Sequence, residues 1–394
     1  MTRQLLTEEP GRDTARRARQ NQLTRAAQWF AGIQADPYGL LLRGGTDDPR
    51  PHEERVREQG PLFHSALLDT WVTADRAVAD ALVTGPAFDG PGPDASADGL
   101  PYRSATLTLN RESAARLAPL TGLGGPLLRA AGEEDVEKQT VTLTRTILAG
   151  LGERFDLAED FARRLVALVL AGQLGLPGTA HEDYARLLTG CRHALDGLLC
   201  PQPYATARAG EAAEAGLGAL LEEALGEAGP DTVRAARVLS VGAAETTAVL
   251  ITNAVRTLLG QPGAWRRLAA DPAALAGTAI DDTLRSAPPV RLETRTARDA
   301  TTLAGTELPA GARVTVLVAA VDRDPGAGPA AAPFALPDDL HFALSARLIK
   351  VIARAALGAL AEALPGLRTD PAPVTRPRSP VLHAPARFPA AKNA

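Results

Sequence analysis

The chain has 394 residues, of which 45% are hydrophobic and 22% charged, and its formal net charge is −4. This composition is typical of a globular protein with a large core, and it provides no basic patch for nucleic acid or an anionic membrane. Residues 1–20 are polar and rich in arginine, so we expect a loose N-terminal arm without a signal peptide. No run approaches the ~18 consecutive apolar residues that span a bilayer. The sequence therefore predicts a cytoplasmic protein.

The first two thirds of the chain are predicted to be mostly helical. Asp75 or Thr73 is a candidate N-cap for one of the helices. Cys191 and Cys200 lie in this part, and we interpret both as small apolar residues rather than metal ligands or a disulfide. The predicted helices cover residues 24–33, 54–59, 75–83, 110–120, 133–151, 155–176, 181–199 and 212–225, with one strand at 70–73.

The longest predicted helix covers residues 231–259, between Asp231 as an N-terminal residue and Gly260 as a stop signal. After a further helix at 271–284 the pattern changes to β-branched residues. No linker or repeat divides the chain, so we predict one domain over residues 1–394, mainly α with a small β-rich region. The predicted strands of this part are 291–296, 302–303, 312–319 and, in a proline-rich edge position, 379–383.

Residues 340–360 predict an amphipathic helix preceded by a short loop. Apolar side chains recur at spacings of three and four and share one face, while basic side chains lie on another. The apolar set is Leu344, Leu348, Val351, Ile352, Ala355 and Ala356, and the basic set is Arg347, Lys350 and Arg354.

Several motifs, taken in order along the chain, resemble those of cytochrome P450. Residues 242–247 read Gly-Ala-Ala-Glu-Thr-Thr and are similar to the P450 motif Ala/Gly-Gly-x-Glu/Asp-Thr-Thr. Residues 279–291 resemble the E-x-x-R helix, with Asp282 in place of the glutamate and Arg285 as the arginine. The resemblance covers most of the chain and implies the P450 fold. The other similar segments are 155–177, 294–325 and 378–389.

From His341 onward the sequence aligns with the P450 cysteine motif without a gap, but the key residues differ. The cysteine that ligates the haem iron corresponds to Ala343, and the following glycine corresponds to Ser345. The F-G-x-G turn that precedes the cysteine is missing. A methyl group can neither hold the iron nor push electron density into O–O cleavage. The resemblance therefore implies a P450 fold that lacks the cysteine ligand loop, with no cofactor-binding, metal-binding or catalytic residues.

Other haem contacts of P450s are also reduced. The H-x-x-x-R pair is absent, because residues 109–120 contain no histidine. Arg295 matches a propionate-binding arginine, but one charge-assisted contact is too little to retain a haem. We also disfavour His341 as an iron ligand, since a lone histidine is more often a partnered side chain.

The surviving catalytic-looking residues have structural interpretations. Glu245 and Thr246 match the acid–alcohol pair that relays protons to bound oxygen, but without the thiolate we favour inherited helix residues. Asp282 and Arg285 are spaced i, i+3 on a helix, so we predict an ion pair with Arg323 as its third member.

The missing haem has an energetic consequence. An open void of ~400 Å³ would cost on the order of 10 kcal/mol at ~24 cal/mol per Å³, which is comparable with the stability of a domain. We therefore predict that the space is narrowed by a helix shift, filled by side chains or wetted.

A P450 fold without its ligand is similar to the haem-free P450 homologues that accompany deoxysugar glycosyltransferases in actinobacterial macrolide and anthracycline pathways. Residues 28–49 and 70–83 also resemble that group. The resemblance implies a non-catalytic partner that forms a hetero-oligomer with a GT-B-type glycosyltransferase and holds its competent conformation. The alternatives are a haem-binding P450-type monooxygenase with a non-cysteine ligand, a haem-free catalyst that uses Glu245 and Thr246, or an aglycone-binding carrier.

The interface of such a complex is not evident from the sequence. Aromatic residues make up 4% of the chain, so few interface anchors stand out. Trp29, Phe30 and Tyr38 are candidates, although we favour core packing for each of them.

Overall fold

The computed structural model describes residues 12–43, 48–90, 104–109, 111–120, 132–327, 331–336, 340–369 and 371–392. Within these residues the chain is mainly helical with a small β-rich region, as the sequence predicts.

The N-terminal part confirms most of the predicted elements. The strand at 70–73 and the Asp75 cap are both present, and the Asp75 carboxylate accepts a hydrogen bond from the Val78 amide. Residues 12–20, which we expected to form a loose arm, are helical, because Arg and Ala are good helix formers and no Gly or Pro interrupts them. Residues 1–11 lie outside the described residues. The elements are α1 (Arg12–Ile33), α2 (Pro37–Leu42), α3 (Arg50–Glu58), β1 (Phe63–Ser65), β2 (Thr70–Thr73), α4 (Arg76–Thr84), β3 (Phe88–Asp89), α5 (Arg111–Leu117), α6 (Glu133–Gly150), β4 (Arg154–Asp156), a π-helical turn (Leu157–Arg163), α7 (Arg164–Gln173), α8 (His181–Cys191), α9 (Ala194–Gly197) and α10 (Tyr204–Leu225).

The C-terminal part holds the longest helix and most of the strands. One prediction is wrong: residues 379–383 form a turn rather than a strand. The buried Asp196 carboxylate holds this turn by accepting hydrogen bonds from Ser379 Oγ at 2.7 Å and from the amides of Val381 and Leu382 at 3.0 and 3.1 Å. The elements are α11 (Pro230–Leu259), α12 (Ala264–Ala270), α13 (Pro272–Ser286), β5 (Leu292–Ala297), β6 (Thr301–Leu303), β7 (Thr306–Leu308), β8 (Arg313–Leu317), α14 (Val318–Val321), α15 (Leu340–Ala343), α16 (Ala346–Ala363), β9 (Val374–Thr375), β10 (Pro385–Arg387) and β11 (Pro389–Ala391).

The main sheet has five strands in the order β1-β2-β8-β5-β3. β2 and β8 are parallel, with Trp71 opposite Val314, and the other pairs are antiparallel. The sheet therefore joins the N-terminal and C-terminal parts of the chain. A second long-range pairing joins β11 to β4, with Ala390 opposite Phe155.

α11 is the central helix of the core and packs against α10, α13, α16 and the π-helical turn. It begins with Pro230 in its first turn, a position that suits a residue without an amide hydrogen. Among the described residues it is the one helix long and apolar enough to cross a membrane, a property that the sequence analysis did not identify. However, 94% of its apolar window is buried inside the protein, so its apolar length is accounted for by the core.

α16 confirms the amphipathic pattern predicted for residues 340–360. Its apolar face is buried against α6, α11 and α13, while Arg347 and Arg354 are exposed. Arg347 pairs with Glu133 and Arg354 pairs with Glu137, and both glutamates belong to α6. The packing of its apolar face holds α16 in the core and so positions the residues that precede it.

Candidate functional site

Glu245 lies in the middle of α11 and belongs to a buried ion cluster. Its carboxylate accepts hydrogen bonds from Arg163 Nε at 2.9 Å and Arg163 Nη2 at 2.8 Å, and a further short one from Arg376 Nη2. Arg163 ends the π-helical turn, and Arg376 follows β9. Glu245 is only 6% exposed. Three parts of the chain that are far apart in sequence therefore converge on one carboxylate.

The electrostatics of this cluster keep Glu245 ionised. Burial raises its pKa, but the Arg376 and Arg163 guanidinium groups outweigh burial and lower the pKa of Glu245 to about 2. A carboxylate in this state does not exchange a proton near neutral pH, so it does not suit a proton relay.

Thr246, the second member of the predicted acid–alcohol pair, does not hydrogen bond to Glu245. Its side chain is fully buried, and its Oγ1 is without a hydrogen-bond partner among the described residues. Thr247, by contrast, donates from Oγ1 to the Ala243 carbonyl at 2.7 Å within the helix. Glu245 and Thr246 therefore do not form a hydrogen-bonded pair, which agrees with the interpretation that both are structural residues of the helix.

The predicted ion pair of Asp282, Arg285 and Arg323 is wrong. Among the described residues no ion pair joins any two of them. Asp282 is exposed, while Arg285 Nη1 donates to the Ala331 carbonyl at 2.6 Å. Arg323 instead pairs with the buried Glu53 of α3, which also accepts from Arg291 Nη2 at 3.1 Å. Aspartate is one methylene shorter than the glutamate of the P450 motif, so its carboxylate reaches less far, and the acidic partner of Arg323 is Glu53 instead.

Arg295, which matches a propionate-binding arginine, already has an acidic partner. It lies on β5, is 1% exposed, and its Nη1 donates to Glu293 Oε1 at 2.6 Å and to the Thr294 carbonyl at 3.1 Å. Its charge is therefore balanced within the protein.

Ala343, the residue that matches the P450 cysteine, ends the short helix α15. The neighbouring side chains of Phe342 and Leu344 are buried, and α15 packs against α11 and α5. On α11 itself, Ala243, Thr246 and Leu250 are all fully buried. Protein atoms thus cover this face of α11, which is where the resemblance places a haem.

These residues do not fit a haem. The position of the thiolate carries a methyl group, Arg295 is paired with Glu293, and the facing surface of α11 is buried by protein. The part of the chain that the structure describes also contains no group of three or more His, Cys, Asp and Glu side chains suited to a metal ion. The side chain of His341 lies outside the described residues.

The two cysteines are free and buried in the structure. Burial raises the pKa of Cys191 and of Cys200 to about 12, so neither forms a thiolate at neutral pH. Both behave as small apolar residues, as the sequence predicts.

The candidate interface residues divide into two groups. Tyr38 is buried, as predicted, and its hydroxyl hydrogen bonds with Thr315 Oγ1 at 3.1 Å. The prediction of core packing is wrong for Trp29 and Phe30, which lie on α1 and are 60% and 51% exposed. Leu23 and Ile33 of the same helix are 54% and 58% exposed. We refer to Leu23, Trp29, Phe30 and Ile33 as the outer face of α1.

The inner face of α1 is polar or small. Asn21 Nδ2 donates to the Gln202 carbonyl at 3.0 Å, and Gln28 Nε2 donates to the Leu199 carbonyl at 2.7 Å. Further along, α1 meets α2 at Gly39, where an added Cβ would lie 2.8 Å from Ala31 Cβ. α1 is therefore held on the protein by side-chain hydrogen bonds to backbone and by close helix contact, with its apolar residues directed outward.

The sequence could not reveal this orientation. The spacing of Leu23, Phe30 and Ile33 indicates one helix face, but periodicity does not show whether that face points inward. Arg163 and Arg376 were missed for a related reason, because Glu245 lies 82 and 131 residues from them. The one available signal was the set of polar residues, Asn21 and Gln28, on the opposite face of α1.

No family model matches the chain. It is 47% identical to the protein TylM3 of Streptomyces fradiae over 406 residues, which covers 96% of this chain and 94% of TylM3. It is 37% identical to the protein DesVIII of Streptomyces venezuelae over 397 residues, with 94% of this chain and 92% of DesVIII covered.

The fold is similar to that of solved structures. The open form of cytochrome P450 Eryk from S. erythraea superposes with a TM-score of 0.74 and covers 88% of this chain and 97% of its own, at 23% identity. The chain therefore belongs to the family of TylM3 and DesVIII and has the cytochrome P450 fold, which confirms its assignment to the P450-like auxiliary proteins of glycosyltransferases.

Proposed function

We propose that this chain is a non-catalytic, haem-free auxiliary protein that binds and activates a deoxysugar glycosyltransferase of the GT-B type in antibiotic biosynthesis. The partner would be cytoplasmic, as would this chain, and the two would form a hetero-oligomer. The auxiliary protein binds the competent conformation of the transferase more tightly than its other states, and this preference shifts the population of the transferase.

The observation that carries the non-catalytic part is the ion cluster around Glu245. The carboxylate that would deliver protons in an oxygenase is held by Arg163 and Arg376, and its low pKa keeps it ionised. The alcohol beside it, Thr246, has no partner in the described chain to pass a proton to. On the same helix Ala243, Thr246 and Leu250 are fully buried, and α15 packs against this helix.

Family membership supports the activating role, and the populations of the transferase conformations set the maximum activation. A transferase that is competent in ~1% of molecules gains at most ~100-fold in turnover when a partner fully stabilises the competent state. To reach that limit the partner must bind the competent state ~10⁴-fold more tightly than the other states. Activation of this size needs a large contact surface but no catalytic group from the auxiliary protein.

Two measurements test the proposal. The first is the absorbance spectrum of the purified chain with and without added haem, in which we expect no Soret band. The second is co-expression with a GT-B-type deoxysugar glycosyltransferase from the same organism, in which we expect a higher soluble yield and faster sugar transfer. Thr246→Val serves as a control and should activate as well as the wild type. A Soret band, or a transferase unchanged in both yield and turnover, would contradict the proposal.

A further inference from the structure

We propose that the outer face of α1, together with the arginine-lined cavity beside it, is the surface that docks the glycosyltransferase. The inference rests on the proposed function, because it assigns a place on this chain to that partner. The occupant to which it commits is a segment of the transferase that presents apolar side chains flanked by carboxylates.

The first argument is the exposed apolar area. Trp29, Phe30, Ile33 and Leu23 are each more than half exposed, and they lie within three turns of one helix. Large apolar side chains exposed to this extent present roughly 100 Å² each, or about 400 Å² together. This is about half of the ~800 Å² that each partner contributes to a stable interface, and the polar rim can provide the remainder.

The second argument is the way α1 is attached. In an ordinary surface helix the apolar stripe faces the core and the polar residues face water. α1 has the reverse arrangement, since Asn21 and Gln28 point inward to the Leu199–Gln202 backbone while Phe30 and Ile33 point outward. The outer face is therefore not a core face that has lost its neighbour, and an apolar surface of this kind indicates a binding site.

The third argument is charge. A cavity of about 380 Å³ lies beside α1 and is lined by Arg25, Arg43 and Arg378, with Trp29 at its margin. The described residues that line it include no carboxylate. The Arg43 guanidinium lies over the Trp29 ring at 4.4 Å, so the basic cavity and the outer face of α1 are continuous.

The shape of the surroundings agrees with this assignment. A second cavity of about 220 Å³ lies on the other side of α1 and is lined by Thr24, Ala27, Gln28 and Leu67, among others. α1 is thus a ridge between two depressions, one of which is basic. Such relief is complementary to a partner with an apolar groove, and the arginines select a groove with carboxylates on one side.

The experiment uses calorimetry to measure binding of the purified full chain to a GT-B-type deoxysugar glycosyltransferase from the same organism. The test variant is Phe30→Glu combined with Ile33→Glu, and the matched control is Leu275→Glu, at an exposed leucine of α13. Loss of two central apolar anchors should weaken binding by about 100-fold, whereas the control should bind as the wild type does. Thermal unfolding of each variant confirms that all of them are folded.

A second pair of variants tests the charge argument. Arg25→Ala combined with Arg378→Ala should weaken binding and reduce its dependence on salt, while Arg266→Ala on α12 should change neither. Wild-type affinity in both the Phe30/Ile33 and the Arg25/Arg378 variants would overturn the inference while leaving the proposed function intact. If the wild type itself fails to bind, the proposed function fails and the assignment of this partner fails with it.

The remaining outcome concerns a second copy of this chain. If the chain alone forms a dimer by light scattering and the Phe30/Ile33 variant is a monomer, the outer face of α1 binds its own copy. That result would overturn the assignment to the glycosyltransferase.

Discussion

Replacement of Glu245 by glutamine gives a sharp test of the ion cluster. The glutamine side chain has nearly the same shape as the native one, but it leaves the buried Arg376 without its ion-pair partner and Arg163 paired with Glu159 alone. If Glu245 is structural, we expect the variant to lose stability. If it were a proton relay, stability would be nearly unchanged and only activity would fall.

Two estimates of the magnitude agree. The difference between the ordinary pKa of 4.5 and the value of about 2 for Glu245 corresponds to about 3 kcal/mol of stabilisation. Removal of one partner from a buried ion pair typically costs ~3–5 kcal/mol, because the other charge remains buried. For a chain of 394 residues, with an unfolding entropy of ~2.1 cal/mol/K per residue, a loss of about 3 kcal/mol lowers Tm by about 4 °C.

The assay is urea and thermal unfolding of the wild type, Glu245→Gln and the neighbouring control Thr246→Val. The control removes a buried hydroxyl that has no partner among the described residues, so it should be neutral or stabilising by about 1 kcal/mol. A loss of less than about 1 kcal/mol in Glu245→Gln would refute the reasoning, since it would show that the cluster contributes less than an ordinary hydrogen bond.

The pH dependence of the stability difference between the wild type and Glu245→Gln provides a second criterion. The folded-state pKa of Glu245, about 2, lies below its ordinary value of 4.5. The stability from ionised Glu245 is therefore complete above pH 4.5 and is lost as the pH falls toward 2. The wild type and Glu245→Gln should converge in stability over that range, and a gap that does not change with pH would contradict the electrostatic origin.

Three other predictions follow from the same structure. Ala343→Cys should still give no Soret band after addition of haem, because the facing part of α11 is buried by protein; a Soret band in this variant would show that the space opens. Phe342→Ala, at a fully buried side chain, should cost about 3–5 kcal/mol in urea unfolding, and a loss below 1 kcal/mol would show that Phe342 does not fill the space. Burial raises the pKa of Asp196 to about 6 from 3.8. The folding stability that comes from this raised pKa is therefore complete below pH 3.8 and is lost as the pH rises through 6. Urea midpoints should therefore fall from pH 4 to 7 in the wild type relative to Asp196→Asn, and parallel pH profiles would contradict this.

Local sequence signals predicted the elements that have a clear local pattern. α11, α16 and β2 were identified because each has a clear apolar period or β-branched run and recognisable ends. The turn at 379–383 was mistaken for a strand, because the Asp196 carboxylate that holds it lies 183 residues away from Ser379. No local pattern contains that information.

The site residues also divide into those that a local motif identifies and those that depend on distant parts of the chain. The prediction that Ala343 stands where P450s carry the thiolate needed only the sequence, since it depends on one residue within a motif. The partners of Glu245 and the pairing of Arg323 with Glu53 could not be predicted from the sequence, because they depend on which distant chain segments meet in the core. The outward direction of Phe30 also depends on tertiary packing, as the same helix could have been docked by its apolar face.

The long-range contacts of Glu245 and Asp196 have a consequence for synthesis. Arg376 is made 131 residues after Glu245, and Val381 is made 185 residues after Asp196. At ~5–20 residues per second a ribosome takes about 7–26 s to add 131 residues. During that time Glu245 has Arg163 available but not Arg376, so the ion cluster at the centre of the fold is completed only when translation has passed the segment that supplies Arg376.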